Sequence, residues 1–403
     1  MRTKNLIVFF ALTLLTTKVF SQTDVVKAFS FAQNQTTLLL KEVDTVKSDA
    51  ANSALVSPRS LSVEGKLVMV PSKDWCSGFF PGELWFLYEY TNDKKWMGLA
   101  QQFTTNIEVE KTNGITHDMG FKVYNSVGNG YRLTKDPHYK EVIIEAAKTL
   151  STRFNPVVGS IKSWDNRKQW KFPVIIDNML NLELLFEATH LTGDSSFYKI
   201  AVAHANTAMK NHFRADYSSY HVIDYDPESG KVLHKQTHQG YADESAWARG
   251  QAWGLYGYTM CYRETHNKAY LKQAENIAKF IFSNPNLPAD LVPYWDYNDP
   301  AVPNAPRDAS AAAVAASALY ELSTYSKNAK EYRSTADKIV KTLSEKYQAK
   351  AGGSKGFLLI HSTGHKPAGT EIDVPIIYAD YYYLEALLRK QHLYKGQPVI
   401  NRN

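Results

Sequence analysis

Asp177 stands in an unusual sequence setting for a carboxylate. It follows the apolar run Pro173-Val174-Ile175-Ile176 and precedes Asn178. A carboxyl group in so dry a place is expected to hold its proton more tightly, because burial disfavours the charged form. That is what a general acid working near neutral pH needs. A plainer reading stands beside this one, since Asp is a preferred helix N-cap. For Asp177 the dry flank favours chemistry; for Asp308 capping outweighs it. His117-Asp118 is less decisive, because adjacent His-Asp pairs are common in purely structural roles.

Further polar residues recur at comparable places: Asp74-Trp75, Trp247 with Arg249, and Asp373. Arg249 lies two residues into an apolar stretch, where a guanidinium requires an anionic partner from either the protein or a substrate. His221 is a candidate ligand or orienter, although a lone His more often belongs to surface or core. Trp75, Trp164, Trp247 and Trp253 suit either sugar-stacking platforms or core lining. No GxGxxG, Walker loop, HExxH or CxxC motif occurs, so neither a cofactor nor a metal is expected.

These residues need elements to carry them, and the chain supplies a recurring helix pattern. An aromatic residue after a polar turn opens an amphipathic helix at Trp96, Tyr139, Tyr198, Tyr270 and Tyr332, with spacings of 43, 59, 72 and 62 residues. In the fourth, Lys272, Glu275, Asn276 and Lys279 fall opposite Tyr270, leaving one wet side. Between them run helices that are apolar nearly all round: Gly78–Tyr90, Phe121–Leu133, Asp177–Leu191, Trp247–Tyr262, Ala309–Leu322 and Ile376–Leu388. A helix without a polar face must be enclosed by others. With a first amphipathic helix near Val25–Val46, six wet helices alternate with six dry ones. The expected fold is therefore all-α, an (α/α)6 barrel of six helical hairpins with dry helices inside. Parallel inner helices would bring the polar residues to one rim, among helix N-termini suited to an anion.

Two insertions interrupt the helices. Ser219–Asp226 and Lys231–Thr237, joined by Pro227-Glu228-Ser229-Gly230, predict a β-hairpin. Asn284–Arg307 holds six of the 16 prolines and must be loop. No linker divides the chain, which favours one catalytic domain over residues 22–403. The first 21 residues read as an export signal: Arg2 and Lys4, an apolar run from Leu6 to Leu15, then Val19 and Ser21 at the cleavage offsets. A mature chain of 403 − 21 = 382 residues, periplasmic or secreted and without a membrane anchor, is the expectation.

The net charge of +6 is mild and dispersed, arguing against a nucleic-acid face and compatible with a small anionic substrate. Aromatic residues make up 13% of the chain, enough for sugar stacking as well as core. Cys76 and Cys261, the only cysteines, lie roughly 20 Å apart along such a barrel, beyond the reach of a disulfide of about 7 Å between Cα atoms.

Four strings occur together and in order: Asp74-Trp-Cys-Ser-Gly-Phe-Phe-Pro-Gly82, His117-Asp-Met-Gly-Phe121, Ile176-Asp-Asn-Met-Leu-Asn181, and Gln239-Gly-Tyr-Ala-Asp-Glu-Ser-Ala-Trp-Ala-Arg-Gly-Gln-Ala-Trp253. With them the chain resembles the unsaturated glucuronyl hydrolases of glycoside hydrolase family 88 from about residue 70 to 390. The resemblance implies the same barrel, with Asp177 as catalytic acid and base and Asp118 as the second carboxylate. It further implies His117, His221, Gln239 and Arg249 as polar contacts to the sugar, and Trp75, Trp164, Trp247 and Trp253 as pocket lining. Cys76 departs from the Thr more usual in such a string.

The implied partner is an unsaturated acidic oligosaccharide of glycosaminoglycan type, met as a disaccharide left by a lyase. The implied reaction hydrates its C4=C5 vinyl ether. Three other readings stay open at this stage: an unsaturated rhamnogalacturonyl hydrolase, a conventional inverting glycosidase using the same two acids, and a non-catalytic glycan-binding protein.

Overall fold

The computed structural model describes residues 3–165 and 167–400, with side chains from Asp24 onward. The side chains of the expected export leader lie outside the described residues. Twelve α-helices are found among the described residues. The outer set is α1 (Thr3–Lys47), α3 (Lys94–Thr105), α5 (Pro137–Ser151), α7 (Ser195–Asn211), α9 (Lys268–Ser283) and α11 (Ala329–Lys346). The inner set is α2 (Phe79–Thr91), α4 (Asn129–Thr134), α6 (Asn178–Thr192), α8 (Ala248–Thr265), α10 (Ala309–Leu322) and α12 (Ile377–Lys395). No helix among the described residues is long and apolar enough to cross a membrane.

The inner helices form a closed ring. Helix α2 packs on the segment leading into α4, that segment on α6, α6 on α8, α8 on α10, α10 on α12, and α12 back on α2. Each outer helix flanks an inner one, as α3 does α2 and α9 does α8. All fourteen residues of α10 are buried, whereas α11 buries only Tyr332, Ala336, Ile339, Val340 and Leu343. Full enclosure of the apolar helices is what removes their surface from water, worth roughly 1.5–3 kcal/mol per large side chain.

The two sets start differently. Outer helices α3, α5, α7 and α9 are capped by Asp93, Asp136, Asp194 and Asn267, whose side chains accept from backbone N–H groups two residues on. Among the inner helices α2, α6, α8 and α12 have no side-chain cap; α10 is capped by Asp308. Inner N-termini are thus left open toward the rim.

Two departures from the expected pattern lie at that rim. The lead into α4, Gly120–Gly128, is π-helical rather than α-helical, a form that often marks functional sites. The dry run before Asp177 is a strand, β5 (Phe172–Ile175), and pairs antiparallel with β6 (Val222–Tyr225). The expected hairpin of β6 with β7 (Val232–Gln236) is present, so the three form one small sheet. Numbering in chain order, β1 (Ser57–Leu61) pairs with β2 (Leu67–Val70), and β3 (Phe154–Asn155) with β4 (Ser160–Ile161). Cys76 and Cys261 are free and buried.

The barrel axis is filled. Phe121 touches Trp253 with ring centroids 5.3 Å apart, Trp253 touches Tyr382 at 5.5 Å, and Tyr382 touches Tyr256 at 5.7 Å. The Tyr256 hydroxyl donates to Glu385 (3.0 Å) and accepts from Arg389 (2.7 Å), which pairs with Glu321 (3.1 Å). Arg263 joins Glu321, Glu264 and Glu183 in the same layer. A small cleft beyond it, about 90 Å³ and lined by Arg132, Glu183 and Tyr382, opens at the end opposite the rim.

Candidate active site

Strand register puts Asp177 and His221 side by side. Ile175 pairs with Val222, and the Ile176 N–H donates to the His221 carbonyl (3.1 Å), so the next residue on one strand meets the other strand's histidine. His221 Nε2 lies 3.5 Å from Asp177 Oδ2. The backbone N–H groups of His238 and Gln239 both donate to His221 Nδ1, at 3.1 and 3.0 Å. That nitrogen must offer its lone pair, so the ring proton sits on Nε2 and faces the carboxylate. Asp177 occupies the N-cap position of α6 yet makes no capping bond. Its flank is dry as expected, with Val174 and Ile176 fully buried.

Asp118 sits just before the π-helical segment. The Thr116 hydroxyl donates to its Oδ2 (2.8 Å), and His117 Nε2 lies 3.2 Å from Oδ1. His117 Nδ1 donates to the Ser163 carbonyl (2.9 Å), tying this corner to the loop that carries Trp164. The Ser163 hydroxyl in turn accepts from Ile175 N–H (3.0 Å), two residues before Asp177. Asn181 Oδ1 accepts from Phe121 N–H (3.0 Å), and a Cβ on Gly120 would come within 2.6 Å of Asn181 Cα. The two acid-bearing helix starts are therefore locked together at closest packing.

Two other rim carboxylates are neutralised by arginine: Asp74 pairs with Arg59 (2.8 Å) and Asp308 with Arg249 (2.7 Å). Asp118, Asp177 and the more exposed Asp373 have no Lys or Arg partner among the described residues, and each faces a histidine. Of these three only Asp118 and Asp177 lie among the tryptophans of the rim.

Trp247 covers His221 with centroids 4.7 Å apart, and Trp164 meets it edge-on at 6.1 Å. Trp75 packs on Phe121 and Tyr378, at 5.4 and 5.0 Å. Gln239 donates through Nε2 to the Gly364 carbonyl (3.2 Å). Buried polar atoms without a protein partner gather here: Asp177 Oδ2, His221 Nε2, His117 Nε2, Trp247 Nε1 and the Tyr378 hydroxyl. Such atoms are costly to bury unless a ligand or water meets them.

Two of the expected site residues are engaged within the protein, although Arg249 Nε and Trp253 Nε1 are left without a protein partner. Arg249 is fully buried, and its Nη atoms donate to Asp308, the Thr363 carbonyl and the Gly364 carbonyl at 2.6–2.7 Å. Of the two partners its sequence position allowed, it took the protein carboxylate. Trp253 has no exposed surface and lies beneath Phe121 in the filled axis. Tyr378, which packs beside Trp75 at the site, is not marked out by its sequence setting. Its position in the first turn of an inner helix was the available signal.

An (α/α)6 barrel with two carboxylates free of Lys and Arg partners and an aromatic wall at one rim fits a carbohydrate-active enzyme. The chain belongs to glycosyl hydrolase family 88, whose model matches residues 59–392. It is 57% identical to an unsaturated glucuronyl hydrolase of Formosa agariphila over 83% of this chain and 85% of the relative. It is 33% identical to an unsaturated chondroitin disaccharide hydrolase of Streptococcus pyogenes serotype M1, over 92% of both chains. Its fold is similar to the crystal structure of an unsaturated glucuronyl hydrolase specific for heparin, with a TM-score of 0.85 and 46% identity. That match covers 93% of this chain and 99% of the other.

Proposed function

We propose that this protein removes the terminal 4,5-unsaturated uronic acid from glycosaminoglycan-type oligosaccharides left by polysaccharide lyases. One observation carries the reading: on a rim where Asp74 and Asp308 are held by arginines, Asp118 and Asp177 have no Lys or Arg partner among the described residues and lie together among the rim tryptophans. Family membership and the activities named for the relatives support it.

The C4=C5 bond of such a uronate forms a vinyl ether with the ring oxygen. Asp177 delivers a proton to C4, with His221 Nε2–H holding its carboxyl in place. Positive charge develops at C5 and the ring oxygen, where ionised Asp118 stabilises it. Asp177, now a carboxylate, takes a proton from the water that adds to C5. The resulting hemiketal opens to a keto acid and releases the remaining sugar. Trp75, Trp164, Trp247, His117 and Gln239 position the unsaturated ring.

The reading extends to location. Residues 1–21 direct export and are removed, and one catalytic domain over 22–403 works in the periplasm or outside the cell, on small sugars and not on nucleic acid. Intact Met1 on the native protein would speak against this.

The direct test follows loss of near-ultraviolet absorbance with unsaturated disaccharides from chondroitin, heparin, hyaluronan and ulvan lyases. Absorbance should fall with at least one of them, while saturated counterparts stay uncut. Hydrolysis of the saturated sugars would favour an ordinary glycosidase.

A further inference from the structure

His221 keeps its proton on Nε2 while the backbone N–H groups of His238 and Gln239 both reach Nδ1. Two segments must therefore stay in register. One is the lead into β6, residues 218–221; the other is the loop 237–246, which contains neither helix nor strand. Each has its own anchor. The Ser219 N–H donates to Gln251 Oε1 (2.9 Å) and the Ser219 hydroxyl accepts from Gln251 Nε2 (3.0 Å), which fastens the lead to α8. Buried Asp296 accepts from the Tyr241 N–H (2.9 Å) and the Ser245 hydroxyl (2.7 Å), which fastens the loop. Neither anchor ties one segment to the other.

Arg214, just beyond α7, bonds both. Its Nη1 donates to the Ser218 hydroxyl and the Ser219 carbonyl, each at 3.2 Å. Its Nη2 donates to the carbonyls of Asp243 (2.9 Å) and Ser245 (3.3 Å), and its Nε to the carboxylate of exposed Glu244 (3.3 Å). Every N–H of the guanidinium thus has an acceptor. The same group lies 3.7 Å from the ring centre of Tyr220, the residue before His221. Three backbone carbonyls on two segments are held by one rigid plane, a span that the compact head of a lysine cannot match. Arg214 makes no bond to Asp118 or Asp177, and its route to the acid runs through His221.

Resting on the function proposed above, we propose that Arg214 is a positioning residue for the proton transfer, acting through His221. By joining the lead into β6 to the loop, it keeps two backbone N–H groups on Nδ1 and so keeps the Nε2–H on Asp177. Without the bridge the loop can draw back, and Nδ1 then competes for the ring proton. The tautomer that serves Asp177 is no longer the only one populated. The barrel itself keeps its shape, because Gln251 and Asp296 still hold their own segments.

The test compares Arg214→Lys and Arg214→Gln with wild type in kinetics, thermal unfolding and the nitrogen-15 signals of labelled histidine. The lysine keeps the charge but offers a single donor head. Both variants should fold, and each should lose about 5- to 50-fold in kcat on an unsaturated disaccharide, with KM changed less. Added to His221→Ala, either substitution should lower kcat by no more than about twofold further, because residues that act through one another are not additive. The wild-type His221 ring should show one bare and one protonated nitrogen, identified by their loss in His221→Ala. In the Arg214 variants these two signals should move toward each other as the tautomers mix. A fully active Arg214→Lys, unmoved nitrogen signals in both variants, or an undiminished loss in the His221→Ala background overturns the proposal. Wild type inert on every unsaturated disaccharide sinks the functional reading instead, and the nitrogen signals still decide whether Arg214 positions His221.

Discussion

His221 offers Asp177 a proton it cannot relocate. Two backbone N–H groups occupy Nδ1, so the Nε2–H facing Asp177 Oδ2 at 3.5 Å is fixed by the fold of residues 238–239. A small β-sheet grafted on a helical barrel thus sets both the position of the acid and the tautomer of its neighbour.

Replacement of either carboxylate by its amide preserves shape and removes the chemistry. Asp177→Asn should fold, still bind unsaturated disaccharide, and lose turnover by about 10²–10⁴-fold. Asp118→Asn should also be impaired, through lost charge stabilisation rather than lost proton transfer. In deuterated water the wild-type product should carry a solvent hydron at C4; a product without one would refute hydration and Asp177's role together.

The fixed Nε2–H makes a graded prediction at His221. A polar contact to the acid lost with the ring would cost on the order of 1–3 kcal/mol, so His221→Ala should lower kcat about 10- to 100-fold. His221→Gln, which keeps an N–H donor on a chain of similar reach, should recover part of that loss. Equal defects in the two variants would mean that the ring matters for packing alone.

Gly120 is where the acid-bearing segments touch. A methyl group there would sit 2.6 Å from Asn181 Cα, with Asn181 Oδ1 at 2.9 Å. Gly120→Ala should therefore cost about 1–3 kcal/mol of stability, as overpacking does. It should also lower kcat, because Asp118 moves relative to Asp177. Thermal unfolding and steady-state kinetics on one preparation check both; unchanged values for each would disprove the coupling.

Acid should destabilise the fold through two buried histidines. Burial lowers His204 to about 3 and His212 to about 4, from 6.5. The unfolded chain takes up protons below pH 6.5 while the folded chain does not, so stability drops as pH falls through that range. Each histidine contributes about 1.4 kcal/mol per pH unit, or about 2 kcal/mol at pH 5. Buried Glu83, pushed up to about 7, acts in the opposite sense, its cost growing as pH rises from 4.5 toward 7. The clean measurement is the difference between wild type and His204→Asn in denaturant unfolding at pH 7 and pH 5. The variant should lose less stability on acidification.

The helical frame was legible because enclosure leaves a mark: a helix such as α10 has no polar stripe, while α9 shows Lys272, Glu275 and Lys279 on one side. The strand before Asp177 was less so, since a four-residue apolar run reads alike as strand or buried helix lead. The π-helical turn after Asp118 has no residue signature at all; it follows from the close approach of Gly120 to Asn181. Asp177 stood out by its dry flank and Asp118 by resemblance. The partners of Arg249 were not readable, because Asp308 and the Gly364 carbonyl are 59 and 115 residues away. The bonds of Arg214 to the Asp243 and Ser245 carbonyls are also non-local.

The aromatic column from Phe121 through Trp253 and Tyr382 to Tyr256, sealed below by Arg389 and Glu321, leaves the site with one mouth. A glycan can enter only end first, so an interior uronate never reaches the acid and the enzyme cannot slide along a polymer. Traffic out is also ordered. On the proposed reaction the keto acid forms at the closed end, behind the sugar it was attached to, so that sugar is expected to depart first.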